Sequence, residues 1–298
     1  MNTKRGHPRI ELFDIVNYIL MVCMMFVMLF PFWYSVAGSL NEGMDYLRGG
    51  IYFWPRAFTL ANYHAVFKDK TIWNSFFVSA AKSILGSLSA CLVTALAAYA
   101  MSRPQLKMKK FYAILIAITM YFGGGLIPYF ILINNLGLYN SFWVYIIPGL
   151  FSVWNMIIFR SFFVDIPGSL IESAKIDGAN EYHIFFRIII PLSKAVLAAI
   201  LLFSMVGHWN SYFDSMMYTS SSSLQTIQLF LKRVITDSSA AASMAGIASR
   251  TIPAQVMKIN PQTLKLAAMV VTAFPILCVY PFLQKYFVKG VLIGSVKQ

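Results

Sequence analysis

The chain has 298 residues, of which 58% are apolar and only 12% charged, with a formal net charge of +13. So few charged residues cannot coat a soluble core of this length, and 25 Phe, 16 Tyr and 6 Trp exclude a disordered chain. A nucleic-acid binder this basic would be far more polar, so the remaining class is a polytopic helical membrane protein, in which excess cations report orientation.

Six apolar runs lie near 12–37, 74–101, 111–133, 141–163, 192–213 and 264–286. Each exceeds the roughly 20 residues that a lipid-spanning helix needs. Lipid offers no hydrogen-bond partners, so each run is expected to be helical, and none alternates as a barrel strand would. The expected fold is all-α, with six transmembrane helices in one permease domain over 12–286, a short N-terminus (1–11) and a short C-terminus (287–298). The first run follows Lys4, Arg5 and Arg9 but is longer than the ~7–15 apolar residues of a signal peptide, so it reads as a retained span.

Lys and Arg are dense in the N-terminus, in the 102–110 loop (Arg103, Lys107, Lys109, Lys110), in 164–194 and in the C-terminus (Lys285, Lys289, Lys297). They are sparser over 38–73 and 214–263. The denser side is expected to be cytoplasmic, giving a multi-pass protein with both termini inside. Pro31, the Gly123-Gly124-Gly125 run with Pro128, Pro148, Pro275 and Pro281 fall within the apolar runs. They either kink helices that line a cavity or reflect the general frequency of Gly and Pro in membrane helices.

Between the fourth and fifth runs lies a 164–191 segment holding Asp165, Glu172, Asp177 and Glu181, four of the eleven acids. Pro167 can open a helix over 169–176, Gly178 can end it, and Asn180 can cap a second helix over 181–190, with Pro191 opening the next span. This helix–turn–helix either lies on lipid as an amphipathic surface helix or docks a protein, and its acids favour the protein.

Chemistry of its own is not expected of the chain. No GxxxxGK[ST], HExxH or GxSxG occurs, and His7, His64, His183 and His208 lack ligand spacing. Cys23, Cys91 and Cys278 each sit in an apolar run, far from a CxxC pattern, so neither a metal nor a disulfide framework is expected.

Glu172-Ser173-Ala174, then Gly178, then nine residues to Ile188-Ile189-Ile190-Pro191, resembles the EAA signature of ABC importer permeases. Ser173 and Ile190 depart from it, each keeping size or apolarity. Gly124-Gly125-Leu126-Ile127-Pro128, Asn135-Leu136-Gly137-Leu138 and Phe282–Gly290 resemble the maltose-type carbohydrate branch, in particular its complex-oligosaccharide and polysaccharide subgroup, with an alginate-type permease as a specific candidate. The likeness runs over nearly the whole chain from about residue 10.

The resemblance implies half of a heterodimeric channel with a second homologous permease, two ATPase subunits that bind ATP and Mg, and an extracytoplasmic solute-binding protein. It implies a bacterial inner-membrane location, a saccharide substrate and no cofactor in this chain. Coupling would rest on Glu172, Ala174, Asp177, Gly178 and Ala179: Glu172 facing the ATPase or capping local backbone, Ala174 permitting close packing, Gly178 permitting the turn.

Candidates for the substrate path are the polar or aromatic span residues Tyr121, Tyr129, Trp154, Asn155, His208, Trp209, Asn210 and Tyr212, with Lys82 as an intramembrane cation. Each aromatic has a plain alternative as packing or interface belt, and the belt is the better reading for Trp33, Trp143 and Tyr145. Arg160, near a span end, reads as a snorkelling side chain. If Lys82 and His208 face the path, the substrate is anionic. Leu224–Ile235 reads as an amphipathic stretch at the membrane surface. Ser238–Ser249 is either a flexible tip reaching a binding protein or a passive connector, and the 38–73 loop is a second docking candidate. The runner-up reading is the same kind of permease for a peptide or amino acid. A more distant one is an ion-coupled transporter, which the near absence of intramembrane acids disfavours.

Overall fold

The computed structural model describes the backbone of residues 12–248 and 260–295, and side chains as far as Asp237 and from Asn260 to Val279. Lys4, Arg5, Arg9, the Phe282–Gly290 side chains and the C-terminal cations lie outside the described residues. Among the described residues the chain is helical, with no strand and one isolated bridge between Asn41 and Phe58. Two compact units divide it, Met1–Lys68 with Val234–Val271, and Asp69–Arg233 with Thr272–Gln298.

In the first unit α1 (Leu12–Ser39) is an unbroken apolar helix of 28 residues, about 42 Å at 1.5 Å per residue. Pro31 lies inside it without ending it. After it come α2 (Gly43–Leu47) and α3 (Ala61–Lys68). A buried polar network ties this segment together. Asn62 donates to the carbonyls of Ser39 and Asn41, and accepts from Thr263 Oγ1 at 2.9 Å. Asn41 accepts from Ala57 N–H and donates to the Asp45 carboxylate, which also pairs with Arg56 at 3.1 Å. The Asn41 hydrogen bond is the main cause holding Asp45 below its ordinary carboxylate range. Every member has a partner, the condition under which buried polar groups rigidify a segment. The 38–68 part of the stretch expected as a loop over 38–73 is thus a braced platform with Tyr52, Phe53 and Trp54 exposed on it, and 69–73 open the next helix.

The second unit is built on α4 (Lys70–Ser102), 33 residues long and capped by Asp69, whose side chain accepts from Thr71 N–H. Its buried face is a stripe of small residues including Ser79, Gly86, Ala90, Ala95 and Ala98. Lipid is as apolar as a leucine side chain, so helices in it gain little from hiding apolar surface; they associate through close packing, which small residues permit. Against this stripe pack α7 (Val153–Val164) and α11 (Lys194–Asn210). Gly86 is one such approach, since a Cβ there would lie 2.8 Å from the His208 ring. Lower in the same core, Phe159 and Phe163 stack with centroids 5.7 Å apart, beside Ile184, Phe185 and Ile189.

Three of the six apolar runs are not single helices. α5 (Lys109–Tyr121) and α6 (Leu126–Asn135) meet at 115°. The cause is local: Gly125 takes φ +84, a conformation open to glycine and costly for most other residues. In the fourth run two 3₁₀ turns, Phe142–Tyr145 and Ile147–Gly149, precede α7 with a 48° bend. There Pro148 stands in the second turn and Ser152 caps α7. The fifth is continued upstream by the 164–191 segment: α9 (Glu181–Ile184), a π-helical turn (Phe185–Ile189) and α10 (Ile190–Leu192) join α11 at 84° across Ser193. The expectation that Pro191 opens the span is corrected: α11 begins at Lys194. Three helices are long and apolar enough to cross a membrane singly, and six spans result if each bent pair is one.

After α11 come α12 (Phe213–Tyr218), α13 (Ile227–Ala248) and α14 (Pro261–Ser295). The Leu224–Ile235 stretch, expected to be amphipathic, buries Ile227, Leu229 and Phe230 and leaves Arg233 exposed. The backbone of the Ser238–Ser249 stretch continues α13 to Ala248; its side chains are outside the described residues. Pro275 and Pro281 both lie within α14.

Candidate coupling segment and translocation path

The 164–191 segment folds as the helix–turn–helix its residues call for. α8 (Gly168–Ile176) follows Pro167 and ends at Gly178, φ +82. Gly178 N–H donates to Lys175 O at 3.1 Å and Ala179 N–H to Ala174 O at 2.9 Å. That pair of bonds is the Schellman helix end, which requires a left-handed residue between them. A side chain at Gly178 would meet nothing within 4 Å, so conformation rather than crowding calls for glycine. Asn180 caps α9, its side-chain oxygen accepting from His183 N–H at 2.8 Å.

Within this segment Ala174 and Ala179 pack partly against the hydrophobic core. Glu172 and Asp177 are exposed, and of the two roles expected of Glu172, capping local backbone is not seen. Ile176 is 86% exposed and Tyr182 72%. Large apolar groups left open beside carboxylates suit a protein surface better than a lipid one.

The two short helices are clasped. Lys175 Nζ lies 2.7 Å from Glu181 Oε1, and Tyr99, in the last turn of α4, donates its hydroxyl to Glu181 Oε2 at 2.5 Å. The hydrogen bond from Lys175, then that from Tyr99, holds the Glu181 carboxyl below its ordinary range. A depressed carboxylate stabilises at neutral pH, and its contribution disappears as pH falls through the lowered value. Nothing local in the sequence marks Tyr99, which stands 82 positions from its partner.

The candidate path residues do not form one site. Lys82 is fully buried: its ammonium faces Asp214 Oδ2 at 3.5 Å, donates to Ser211 O at 3.3 Å and sits 4.7 Å over the Tyr145 ring. Asp214 also accepts from Ser211 Oγ at 2.8 Å. The condition on which Lys82 would point to an anionic substrate is not met, because its ammonium is taken up by the Asp214 carboxylate and the Ser211 carbonyl rather than left open. Tyr145, expected in the interface belt, is 2% exposed and donates to Leu224 O at 2.6 Å.

Trp209 is also buried, its indole N–H donating to Thr272 O at 3.2 Å. With Phe76 and Pro275 it walls an apolar cavity of about 190 Å³, unsuited to a sugar. His208 lies half-buried between Gly86 and Gly149. By contrast Tyr121, Trp154 and Asn210 are exposed, as Trp33 and Trp143 are, and Tyr129, Asn155 and Tyr212 are partly so. Tyr129 lies edge-on to Tyr218, Lys232 sits 4.3 Å over the Tyr212 ring, and Asn210 accepts from Gln228 at 3.4 Å. Arg160 is exposed and donates from Nε to Met101 O.

No family model matches the chain. It is 37% identical over 288 residues to the polygalacturonan/rhamnogalacturonan transport system permease protein YtcP of Bacillus subtilis (strain 168), covering 96% of this chain and 99% of the relative. It is 36% identical over 296 residues to the protein LplC of the same organism, covering 99% and 97%. The chain belongs to the permease subunits of ABC sugar importers. A solved structure agrees: a chain of a bacterial ABC transporter involved in the import of the acidic polysaccharide alginate superposes with a TM-score of 0.83 at 27% identity, over 96% of this chain and all of that one.

As an ABC permease of a binding-protein-dependent importer, the chain is an integral membrane protein, and the resemblance carried by Glu172–Pro191 and Gly124–Pro128 is borne out at the level of the family. The relatives are transport subunits, and their chemistry is solute movement.

Proposed function

We propose that this permease forms half of the translocation path of an inner-membrane importer for uronate-containing oligosaccharides. A second homologous permease supplies the other half. Two ATPase subunits, which hold the ATP and Mg, dock on α8, and an extracytoplasmic binding protein delivers the saccharide. Both termini are cytoplasmic. The observation that carries the coupling role is the glycine-ended helix with Ile176 exposed at its tip. Closure of the ATPases would draw the α8 helices of the two permeases together and rock the spans from inward-open to outward-open. The anionic cargo is supported by the acidic polysaccharides named for YtcP and for the alginate importer. The exposed Tyr121 and Trp154 offer flat faces for sugar C–H surfaces.

The test is reconstitution of the four-component complex in liposomes with labelled trigalacturonate and maltotriose outside. ATP-dependent uptake of trigalacturonate, with maltotriose about tenfold weaker, is expected, a difference of ~1.4 kcal/mol. Equal uptake of both would overturn the anionic reading.

A further inference from the structure

The helix assigned to ATPase docking is held by little packing. Ile171 is the one buried residue of Gly168–Ile176, with Ala174 packed partly against the same core, and a short helix held by two small aliphatic contacts would pivot when pushed. Its C-terminal end is fixed instead by a carboxylate. Glu181 receives the Lys175 ammonium on Oε1 and the Tyr99 hydroxyl on Oε2. Tyr99 is itself immobilised: it is 6% exposed, its ring lies 5.3 Å from that of Phe185, and the Arg103 guanidinium sits 4.5 Å over it. Beside this bridge a cleft of about 450 Å³ opens between Leu106, Arg103 and Phe185, so on that side the bridge borders open space rather than packed side chains.

We propose that Glu181 is a positioning residue for coupling: its two carboxylate oxygens join the docking helix, through Lys175, to the long spanning helix α4, through Tyr99, so that the two move as one piece. The bond from the buried Tyr99 hydroxyl to the ionised Glu181 is the stronger of the two, while the Lys175 pair, 38% and 52% exposed, is screened by water and adds chiefly direction. The proposal rests on the reading of α8 as the docking helix.

The test uses the complete complex in liposomes, with Cys23, Cys91 and Cys278 replaced and nitroxides placed at Ser169→Cys on α8 and Leu92→Cys on α4. With native Glu181 the distance distribution stays narrow through the ATP cycle. In Glu181→Gln and in Tyr99→Phe it broadens, and trigalacturonate moved per ATP falls about tenfold, as for loss of one charge-assisted bond. The ATPase still co-purifies, and Lys175→Arg keeps both values. A narrow distribution in both variants, or broadening without loss of transport per ATP, would overturn the proposal. Should Glu181→Gln fail to reach the membrane, Tyr99→Phe, which keeps the ring, decides. Ile176→Asp tests docking separately: an ATPase that still co-purifies there refutes the docking reading, whatever the distances show. If the native complex moves no trigalacturonate, the cargo reading fails, and the distance measurement with binding-protein-stimulated ATP hydrolysis decides.

Discussion

Lys82 and Asp214 form an unequal pair, with side chains 1% and 39% exposed. Removing one member of a buried pair strands the other, and the cost depends on which one water can reach. Asp214→Asn removes the counter-charge and leaves a buried ammonium with neutral acceptors alone, the amide oxygen, the Ser211 carbonyl and the Tyr145 ring, and is expected to cost about 3 kcal/mol. Lys82→Met leaves a carboxylate that water and Ser211 still serve, and should cost nearer ~1 kcal/mol. Thermal unfolding in detergent checks the order, and a Lys82→Met variant that unfolds first would refute it. Ser211, which donates to one partner and accepts from the other, makes the pair a brace for the turn between α11 and α12. The cation was visible in the sequence as an anomaly within an apolar run. Its partner was not, because Asp214 lies 132 positions away at a span edge.

Helix ends were the most legible elements. The sequence spacing Pro167–Gly178–Asn180 places a start, a stop and a second cap within fourteen positions, and each acts on its own backbone neighbours, so no distant contact is needed to read it. Gly178→Val puts a β-branched residue at φ +82, at a cost of about 1–2 kcal/mol. The cost falls on the turn and leaves the core untouched, so the chain is expected to insert and assemble while uptake per ATP drops several-fold. Normal transport by that variant would remove the coupling role from the turn. Breaks within spans were less legible. Pro31 leaves its helix unbroken, whereas Gly125 turns the chain by 115°. Proline at mid-helix can be absorbed when lipid-facing carbonyls tilt, but a left-handed glycine redirects the backbone outright.

Across the whole molecule the proposed orientation rests on the distribution of cations. The 102–110 loop holds Arg103, Lys107, Lys109 and Lys110, and the segment around α8 holds Lys175, Arg187 and Lys194. Cysteines placed at Gln105 and at Ser169 should both resist an impermeant maleimide applied to intact cells, while one at Trp54 reacts. Labelling of Gln105→Cys from outside would reverse the proposed topology. In the proposed topology the Tyr99–Glu181 bridge is expected on the cytoplasmic side.

Composition and local spacing by themselves determined the membrane class, the six apolar runs, the 164–191 helix–turn–helix and the family likeness. Each depends on transfer free energy or on backbone geometry within a few residues, and both are written locally. Tertiary structure decided what spans distance: that Tyr145 and Trp209 are buried, that Lys82 is spent on Asp214, and that Tyr99 meets Glu181. A side chain's partner across eighty or more positions leaves no periodicity for the sequence to show. In lipid, where apolar burial no longer sorts inside from outside, close packing alone settles which face of a uniformly apolar helix turns inward.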